Sequence, residues 1–400
     1  MSDNTAAATT NTSSKKELHD SINELDNRRI DKIRPLIPPQ ILMEDYPLTE
    51  KAYYTVANSR KAIENAMDGK DDRLVVIVGP CSIHDVNAAK EYANKLKEVN
   101  EKVKDDLLII MRVYFEKPRT IVGWKGLIND PYLDGSYQIN KGLKIGRKLL
   151  LYVTELGLPT AVEFLDTISP QYIGDLVSWG AVGARTTESQ IHRELASGLS
   201  CPIGFKNGTD GNFQVAIDGI RAASASHCFL SVTKQGISAI VETTGNSYGH
   251  IILRGGKKLT NYDEKSISDC ASHLLAHNLP TKIMIDMSHG NSCKQFKKQL
   301  DVGKEICRQL KEADTSNEIL GVMIESNLVE GRQNIPKEGK EHLVYGQSIT
   351  DSCIGWEDTE KLIYELQEAS KVRRANNNQN KKNVVRPTIH VEKSDPDLLH

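Results

Sequence analysis

A basic segment, MRVYFEKPRTIVGW, places Arg112, Lys117 and Arg119 where a β-branched run opens into a loop. A guanidinium group binds two oxygens of a phosphate or carboxylate at once, and a lysine ammonium adds a point charge. A solvated basic loop has the same composition, so the segment alone leaves both interpretations open. The pattern recurs after other apolar runs, and this recurrence favours an anion-binding site.

Cations end several of the apolar runs in the chain. Four of the runs supply the set Arg112, Arg185, Lys206 and Arg254. Such a set would converge on an anion that carries more than one charged group. Further along the loop after the second run lie candidates for binding a second phosphate, Lys117, Arg119 and Thr120.

Other runs end in residues that bind metals. Cys81, His289, Glu325 and Asp351 offer one thiolate, one imidazole and two carboxylates, a mixture suited to a divalent transition ion. Structural zinc sites use closely spaced, cysteine-rich sets, whereas these four residues are far apart in the sequence. Single cysteine and histidine residues are also common in protein cores, and the spacing leaves that alternative open.

Eight short β-branched or apolar runs alternate with longer amphipathic segments, a pattern typical of a parallel sheet with crossover helices. The runs begin at Leu74, Leu107, Pro159, Ala181, Pro202, His250, Lys282 and Ile319. Eight such units over roughly 300 residues favour one α/β domain, a single (β/α)8 or TIM barrel, over an open doubly wound sheet. In a barrel the working residues lie at the carboxyl ends of the strands, where these candidates fall.

The remaining segments set the domain boundaries. Residues 229–249 are too short and too β-branched for a crossover helix, and they predict an inserted β-hairpin near the sixth strand. Residues 1–20 and 374–400 are polar and predict disordered tails. Residues 21–71 predict an N-terminal extension of helix and arm that makes regulatory or oligomer contacts, and residues 72–373 predict the barrel.

The composition argues against several classes of protein. Lys and Arg number 51 against 53 Asp and Glu, and the formal net charge of -2 gives no field to recruit nucleic acid or an anionic membrane. No apolar run reaches the roughly 18 residues of a membrane helix, and the N-terminus lacks the apolar core of a secretory signal. The seven cysteines include no CxxC pair. We therefore expect a cytoplasmic protein.

Two further motifs have weaker support. Gly245 to Gly249 matches the GxSxG nucleophile elbow around Ser247, but a strand follows where that motif requires a helix. His273 and His277 are one helical turn apart without a third ligand nearby, so we expect an ordinary polar helix face. Neither a P-loop nor a strand-linked GxGxxG motif occurs.

The motifs GPCSIHD, GARTTESQ, HIILRGG and SITDSCIGWEDT resemble those of the microbial 3-deoxy-D-arabino-heptulosonate 7-phosphate (DAHP) synthases of enteric bacteria and yeasts. The resemblance extends from about Asp26 to about Arg374. It implies a metal-dependent transferase that condenses phosphoenolpyruvate with D-erythrose 4-phosphate and water and releases inorganic phosphate. This reaction is the first step of the shikimate pathway to chorismate and the aromatic amino acids.

The resemblance also implies a role for each candidate residue. A divalent ion, open between Mn, Fe, Co and Zn, would be held by Cys81, His289, Glu325 and Asp351. The residues expected to bind phosphoenolpyruvate are Arg112, Arg185, Lys206 and Arg254. Those expected to face erythrose 4-phosphate are Lys117, Arg119 and Thr120. The expected catalytic residues are Lys206, for proton transfer near C2 of phosphoenolpyruvate, together with Cys81 and His289.

Regulation and assembly are implied in the same way. Members of the resembled family are inhibited by an aromatic amino acid, in a pocket shaped by the N-terminal arm, the extra hairpin and a partner subunit. The candidate pocket residues here are Ser231, Ser200 and Pro170. Ser231 stands where tyrosine-sensitive yeast relatives typically carry glycine, which favours phenylalanine as the effector, and the alternative is that Ser231 is an ordinary turn residue. We expect a homo-oligomer, either a homodimer or a homotetramer.

Three alternative functions compete with this one. A related barrel that makes an eight-carbon sugar acid from phosphoenolpyruvate would use arabinose 5-phosphate instead of erythrose 4-phosphate. An inactive relative retained as an amino-acid sensor would be expected to lose a metal ligand, and none of the four is missing. Nucleic-acid binding through the lysine-rich C-terminal tail is opposed by the near-neutral charge and the absence of an aromatic platform.

Overall fold

The computed structural model describes residues 25–336 and 339–383 of the chain. The predicted disordered tail over residues 1–20 lies outside the described residues. The chain divides into two compact units, residues 1–37 and 38–400.

The described part of the first unit, residues 25–37, is a short and mostly exposed segment. Within it, the Asp26 carboxylate accepts a hydrogen bond from the Asn27 amide at 2.9 Å. The Ile30 amide donates to the Asn27 carbonyl oxygen at 2.8 Å. These contacts are local to the segment.

Eight buried strands form the centre of the second unit. They are β1 (Leu74–Gly79), β2 (Leu107–Arg112), β3 (Thr160–Glu163), β4 (Trp179–Val182), β5 (Ile203–Lys206), β8 (Gly249–Leu253), β9 (Ile283–Asp286) and β10 (Ile319–Glu325), with β6 and β7 belonging to the hairpin described below. The strands close into a barrel in the order β1-β10-β9-β8-β5-β4-β3-β2. The predicted (β/α)8 barrel is therefore confirmed, and the open doubly wound sheet is excluded because β1 pairs in parallel with both β2 and β10.

Helices alternate with these strands along the chain. The α-helices are Pro39–Asp45, Glu50–Met67, Val86–Val103, Ile139–Glu155, Pro170–Ile173, Gln190–Gly198, Gln214–Ser224, Glu264–Ala276, Lys298–Glu312 and Trp356–Asn383, and short 3-10 helices cover Gly174–Leu176, Asp314–Asn317 and Lys340–His342. Side-chain caps fix several of the starts. The Asp85 carboxylate, for example, accepts hydrogen bonds from the amides of Asn87 and Ala88, which satisfies donors that a helix leaves free at its first turn.

The barrel interior is packed with apolar side chains from alternate positions of the strands. Val75, Ile77, Trp179 and Ile252 belong to this core cluster. The ring of Trp179 is accommodated because Gly204 on the neighbouring strand has no side chain; a Cβ there would lie 2.6 Å from its Cζ2 atom. The burial of such side chains is the main driving force for closing the barrel.

The helix Glu50–Met67 also contributes to this core. Ile63, Ala66 and Met67 are buried in the same cluster as the barrel residues. The helix therefore packs with the barrel in the second unit, although the sequence analysis assigns it to an extension that ends at residue 71. The predicted extension, residues 21–71, therefore does not coincide with the first compact unit, which ends at residue 37.

The predicted insertion is a β-hairpin of two antiparallel strands, β6 (Cys228–Val232) and β7 (Ser238–Glu242). Its turn contacts the helices that flank it in space. Lys234 Nζ donates to the carbonyl oxygen of Gln171, and the carbonyl oxygen of Lys234 accepts from the Gln40 amide at 2.7 Å. A second small sheet pairs β11 (Val329–Arg332) with β12 (Gln347–Ser348).

The final helix, Trp356–Asn383, is longer than the sequence analysis expects. The sequence predicts disorder over residues 374–400, but residues 374–383 are helical, which corrects that part of the prediction, and residues 384–400 lie outside the described residues. Arg373 donates to the Ile319 carbonyl oxygen at 2.9 Å, and Arg374 pairs with Asp106 at 2.8 Å. These contacts attach the helix to the barrel wall. The polar composition of the segment gives no sign of them. The described residues contain no helix that is both long and apolar enough to cross a bilayer.

Candidate functional site

A cavity of about 1020 Å³ opens at the carboxyl ends of the barrel strands. Most of the predicted site residues line it, namely Lys117, Thr120, Arg185, Lys206, Arg254, His289, Glu325 and Asp351. Cys81 and Arg112 are almost fully buried and are not in the cavity lining, although both contact residues that are. Arg119 is exposed, and its guanidinium group lies against Gly123.

Three of the four predicted metal ligands form one cluster. One ligand atom from each of Cys81, Glu325 and Asp351 lies within 4.8 Å of the others, and we call these three residues the ligand cluster. His289 is not part of this cluster, but its Nε2 lies 3.8 Å from Glu325 Oε1. The cluster with His289 thus supplies sulfur, oxygen and nitrogen donors of the kind that bind a divalent transition ion.

Strand register explains how residues so far apart in sequence meet. Glu325 is the last residue of β10, and it pairs with Gly79, the last residue of β1. Cys81 follows two residues later and therefore emerges beside Glu325. Asp351 arrives on the loop after β12, which is tied down by a 2.6 Å hydrogen bond between the hydroxyls of Ser82 and Thr350.

Lys117 lies closer to the ligand cluster than the sequence analysis expects. Its ammonium nitrogen is 2.9 Å from Cys81 Sγ and 2.8 Å from Asp351 Oδ2. From the sequence, Lys117 is expected further out on the rim, where it would bind a second phosphate. The loop after β2 carries Lys117 into the cavity lining, and the Lys117 amide donates to the Lys125 carbonyl oxygen at 2.9 Å.

The electrostatics of the ligand cluster fit a bound cation. Burial, reinforced by the carboxylate of Glu325, raises the pKa of the Cys81 thiol to about 12. The thiol is therefore protonated near neutral pH, because a thiolate beside two carboxylates is unfavourable unless positive charge relieves the repulsion. The Lys117 ammonium supplies one such charge, and a divalent ion on these donors would supply more. The residues present therefore fit the metal that the sequence predicts.

Arg112 is a buried cation beside the cluster. Its Nη2 lies 3.3 Å from Glu325 Oε1, and its guanidinium group stacks 4.0 Å from the centre of the Tyr114 ring. Its Nη1 is buried and has no hydrogen-bond partner among the described residues. An unsatisfied buried donor is costly, and it is common at binding sites. The geometry suits an anion that accepts from Nη1.

Asp286 connects two of the predicted site residues. Its Oδ2 lies 3.0 Å from Lys206 Nζ and 2.9 Å from His289 Nδ1, and its Oδ1 accepts from the Ser288 hydroxyl at 2.6 Å. Burial alone would raise the pKa of Asp286, but Lys206 and His289 hold it well below its ordinary value. His289 Nδ1 also lies 2.7 Å from the Ser288 hydroxyl, so Asp286 orients the imidazole through Ser288 as well as by its charge, with the Nε2 side facing Glu325.

No role for Asp286 is predicted from the sequence. The signal was the spacing of an aspartate and a histidine three residues apart at the end of a buried strand. The backbone supports a functional reading, because His289 has a left-handed φ of 53°, which is unfavourable for a residue with a side chain.

Three of the residues predicted to bind phosphoenolpyruvate line the cavity, and they lie on the same side of the barrel mouth. Arg185 follows β4, Lys206 ends β5 and Arg254 follows β8, three strands that are neighbours in the barrel. We call these three residues the cation sector. Burial lowers the pKa of Arg254, and the like charge of Arg185 lowers it further. Cations that face each other in this way favour an anion between them.

The three candidate inhibitor-pocket residues lie away from this cavity. Pro170 is buried at the start of a short helix, Ser200 is exposed, and Ser231 is half-buried on β6, where it pairs with Ala239. The assignment of an inhibitor pocket to these residues stays a prediction.

The two weaker motifs have structural explanations. Ser247 lies in the connection between β7 and β8, which leads into a strand and not into a helix. His273 packs edge-on against Phe213, and His277 Nδ1 is 2.8 Å from the His273 carbonyl oxygen. Neither motif contributes to the cavity.

Comparison with known proteins shows similarity over most of the chain. The DAHP synthetase I family matches residues 46–363. The Phe-sensitive phospho-2-dehydro-3-deoxyheptonate aldolase of Escherichia coli K12 is 61% identical over 349 residues, covering 87% of this chain and 98% of that protein. The phospho-2-dehydro-3-deoxyheptonate aldolase of Haemophilus influenzae is 56% identical, covering 87% of this chain and 95% of that protein. A Trp-sensitive enzyme of Escherichia coli K12 is 54% identical, with coverages of 87% and 99%.

A solved structure agrees with these similarities. The phospho-2-dehydro-3-deoxyheptonate aldolase from Francisella tularensis SCHU S4 superposes with a TM-score of 0.83 at 56% sequence identity, covering 86% of this chain and 99% of that chain. The family match over residues 46–363 contains all eight barrel strands. On these matches, the chain belongs to the DAHP synthetase I family.

Proposed function

We propose that this chain is a transferase that condenses phosphoenolpyruvate with D-erythrose 4-phosphate and water, giving DAHP and inorganic phosphate in the shikimate pathway. Its membership of the DAHP synthetase I family supports this reaction. The observation that carries the proposal is the division of one barrel mouth into the ligand cluster and the cation sector. A reaction that joins two phosphorylated substrates needs both features.

The ligand cluster and His289 would hold a divalent ion of Mn, Fe, Co or Zn. When bound, such an ion supplies Lewis-acid polarisation of the aldehyde oxygen of erythrose 4-phosphate. Cys81 and His289 serve catalysis by holding the ion. The mixed donor set supports a catalytic metal over a structural one, because structural sites favour closely spaced cysteines.

The cation sector, with Arg112, binds the phosphate and carboxylate of phosphoenolpyruvate. Two anionic groups on one small substrate require several donors from different directions, and the buried Nη1 of Arg112 adds one beside Glu325. Lys117, Arg119 and Thr120 face erythrose 4-phosphate; Lys117 and Thr120 line the cavity, which supports this assignment. Holding both substrates in a reactive orientation is a large part of such catalysis.

The chemistry balances without a covalent enzyme intermediate. C3 of phosphoenolpyruvate forms a bond to the aldehyde carbon of erythrose 4-phosphate, water adds to C2, and the C2–O bond to phosphate breaks. Lys206 is the residue we assign to proton transfer near C2, with Asp286 holding its ammonium group in place. An activated serine is not needed.

Regulation, assembly and location complete the proposal. Phenylalanine inhibits the enzyme at a pocket that includes Ser231, Ser200 and Pro170. Greater identity to the Phe-sensitive relative than to the Trp-sensitive relative supports this effector. The protein works as a homodimer or homotetramer in the cytoplasm. All seven cysteines lie within the described residues as free thiols, which supports a reducing compartment.

Product analysis tests the proposed reaction against its nearest alternative. Purified enzyme is supplied with phosphoenolpyruvate and a divalent ion, together with either erythrose 4-phosphate or arabinose 5-phosphate. We expect release of phosphate and a seven-carbon product with erythrose 4-phosphate alone. Preferential turnover of arabinose 5-phosphate would instead support synthesis of an eight-carbon sugar acid.

A further inference from the structure

A second group of cations lines the cavity opposite the loop that follows β2. We propose that Lys257, Lys258 and Lys294 form a rim patch that attracts phosphoenolpyruvate to the barrel mouth and strengthens its binding. The inference rests on the proposed function, because it assumes a substrate that carries both a phosphate and a carboxylate. It adds three residues to the site that neither the motifs nor the predicted contacts include.

The barrel topology gives the rim patch its position. Lys257 and Lys258 follow β8, which lies four steps from β2 in either direction round the barrel order, and Lys294 follows the adjacent strand β9. The rim patch is therefore across the mouth from Lys117. Arg254 of the cation sector lies only three residues before Lys257, so an anion drawn to the rim is already beside that sector.

The backbone holds these lysines at the cavity. A 2.8 Å hydrogen bond from the Gly256 amide to the Leu259 carbonyl oxygen closes a tight turn that carries Lys257 and Lys258. Lys294 has a left-handed φ of 59°, and its amide donates to the His289 carbonyl oxygen at 2.8 Å. Left-handed backbone costs energy for a lysine and persists where surrounding structure enforces it, often at functional sites.

The charge around the rim patch is not neutralised. Among the described residues, none of the three lysines forms an ion pair, and all three line the cavity. Two of the carboxylates in the same cavity, Glu325 and Asp351, already contact cations, which leaves Glu163 as the third acidic residue of the lining. A cleft with an excess of one charge concentrates ligands of the opposite charge, and salt screens this effect.

Binding measurements on charge variants test the rim patch. The variants are Lys257→Gln with Lys258→Gln, and Lys294→Gln. The control is Lys51→Gln with Lys102→Gln, which removes two exposed lysines on helices outside the cavity and changes the net charge equally. The dissociation constant of phosphoenolpyruvate is measured by calorimetry at low and at high salt, and melting temperatures check the fold.

We expect the Lys257 and Lys258 double variant to bind phosphoenolpyruvate about fivefold more weakly at low salt, with the difference largely lost at high salt. Lys294→Gln should show a smaller loss of the same kind. The matching rise in KM should exceed any change in kcat, which a merely structural defect would not produce. An unchanged dissociation constant, an equal loss in the control, or a loss that high salt does not reduce would overturn the inference.

The outcome separates this inference from the proposed function. Wild-type enzyme that makes DAHP while the double variant binds phosphoenolpyruvate normally would refute the rim patch alone. Wild-type enzyme that binds no phosphoenolpyruvate would refute both.

Discussion

The ammonium nitrogen of Lys206 lies 3.0 Å from Asp286 Oδ2, and both side chains are almost completely buried. The same carboxylate oxygen is 2.9 Å from His289 Nδ1. One aspartate therefore positions both the residue assigned to proton transfer and a candidate metal ligand. A carboxylate with two such partners is a positioning residue whose loss should affect stability, metal binding and catalysis together.

Replacing Asp286 tests this relationship. Asp286→Asn removes the negative charge that Lys206 and His289 share, and an uncompensated buried charge is costly. We expect the free energy of unfolding to fall by about 3–5 kcal/mol in urea titrations, and metal affinity to fall by about 10–100-fold. The matched control is Asp301→Asn, an exposed aspartate 3.7 Å from Lys304, for which we expect almost no change. Equal stability and equal metal affinity in the two variants would refute the role of Asp286.

Removing the thiol of Cys81 tests the ligand cluster without an activity assay. A serine hydroxyl is a poor replacement for a thiolate that binds a soft or borderline ion. After dialysis, we expect purified Cys81→Ser to contain about one tenth of the divalent metal of wild type or less, measured by elemental analysis. Cys228→Ser, at an exposed position on the hairpin, serves as the control and should keep its metal. Normal metal content in Cys81→Ser would exclude Cys81 as a ligand.

A buried carboxyl group on the loop after β2, that of Glu116, gives the protein a specific pH dependence. Glu116 accepts hydrogen bonds from the Ser169 hydroxyl at 2.9 Å and the Asp166 amide at 3.3 Å. Burial, followed by the charge of Asp166, raises the pKa of Glu116 from 4.5 to about 8. Between these two values the folded protein keeps a proton that the unfolded chain has released, so its stability falls as the pH rises.

Glu116→Gln removes this titration. We expect the melting temperature of wild type to fall by about 3 °C relative to this variant as the pH rises from about 5 to about 8. Glu98→Gln, an exposed glutamate on the helix Val86–Val103, should follow wild type throughout. Parallel pH curves for wild type and Glu116→Gln would show that Glu116 does not titrate in this window.

Inhibition by aromatic amino acids tests the effector assignment. We expect phenylalanine to slow the wild-type enzyme at sub-millimolar concentration, with tyrosine and tryptophan much weaker. Ser231→Gly should weaken the response to phenylalanine relative to tyrosine, because the family resemblance associates glycine at this position with tyrosine sensitivity. Titration of the three amino acids against phosphate release measures both effects. Equal inhibition by all three, or by tyrosine alone, would refute the assignment.

The periodicity of apolar residues in the sequence predicts the strands and helices of the barrel, but it does not predict where every element ends. Runs such as LVVIVG and LLIIMR are fully buried strands, because β-branched residues suit a sheet that is covered on both faces. The end of the last helix is not predictable from composition, because Arg373 and Arg374 bind groups from distant segments, Ile319 and Asp106. The polar composition of this segment does not show that such partners exist.

In the candidate site too, some positions are predictable from the sequence and others are not. Residues at strand ends, such as Lys206 and Arg254, lie in the cavity because strand direction alone brings them there. Lys117 and Arg119 sit on a loop after β2, and their positions depend on how that loop folds. Lys117 turns inward to Cys81, whereas Arg119 lies against Gly123, a difference that residue type does not encode.

Metal dependence is the most direct test of the central claim, that the ligand cluster holds an ion needed for condensation. Enzyme treated with a chelator and then freed of it is assayed for phosphate release with phosphoenolpyruvate and erythrose 4-phosphate, before and after divalent ions are restored. We expect activity to be lost on chelation and to return with Mn, Fe, Co or Zn. Full activity in the chelated, metal-free enzyme would contradict the claim.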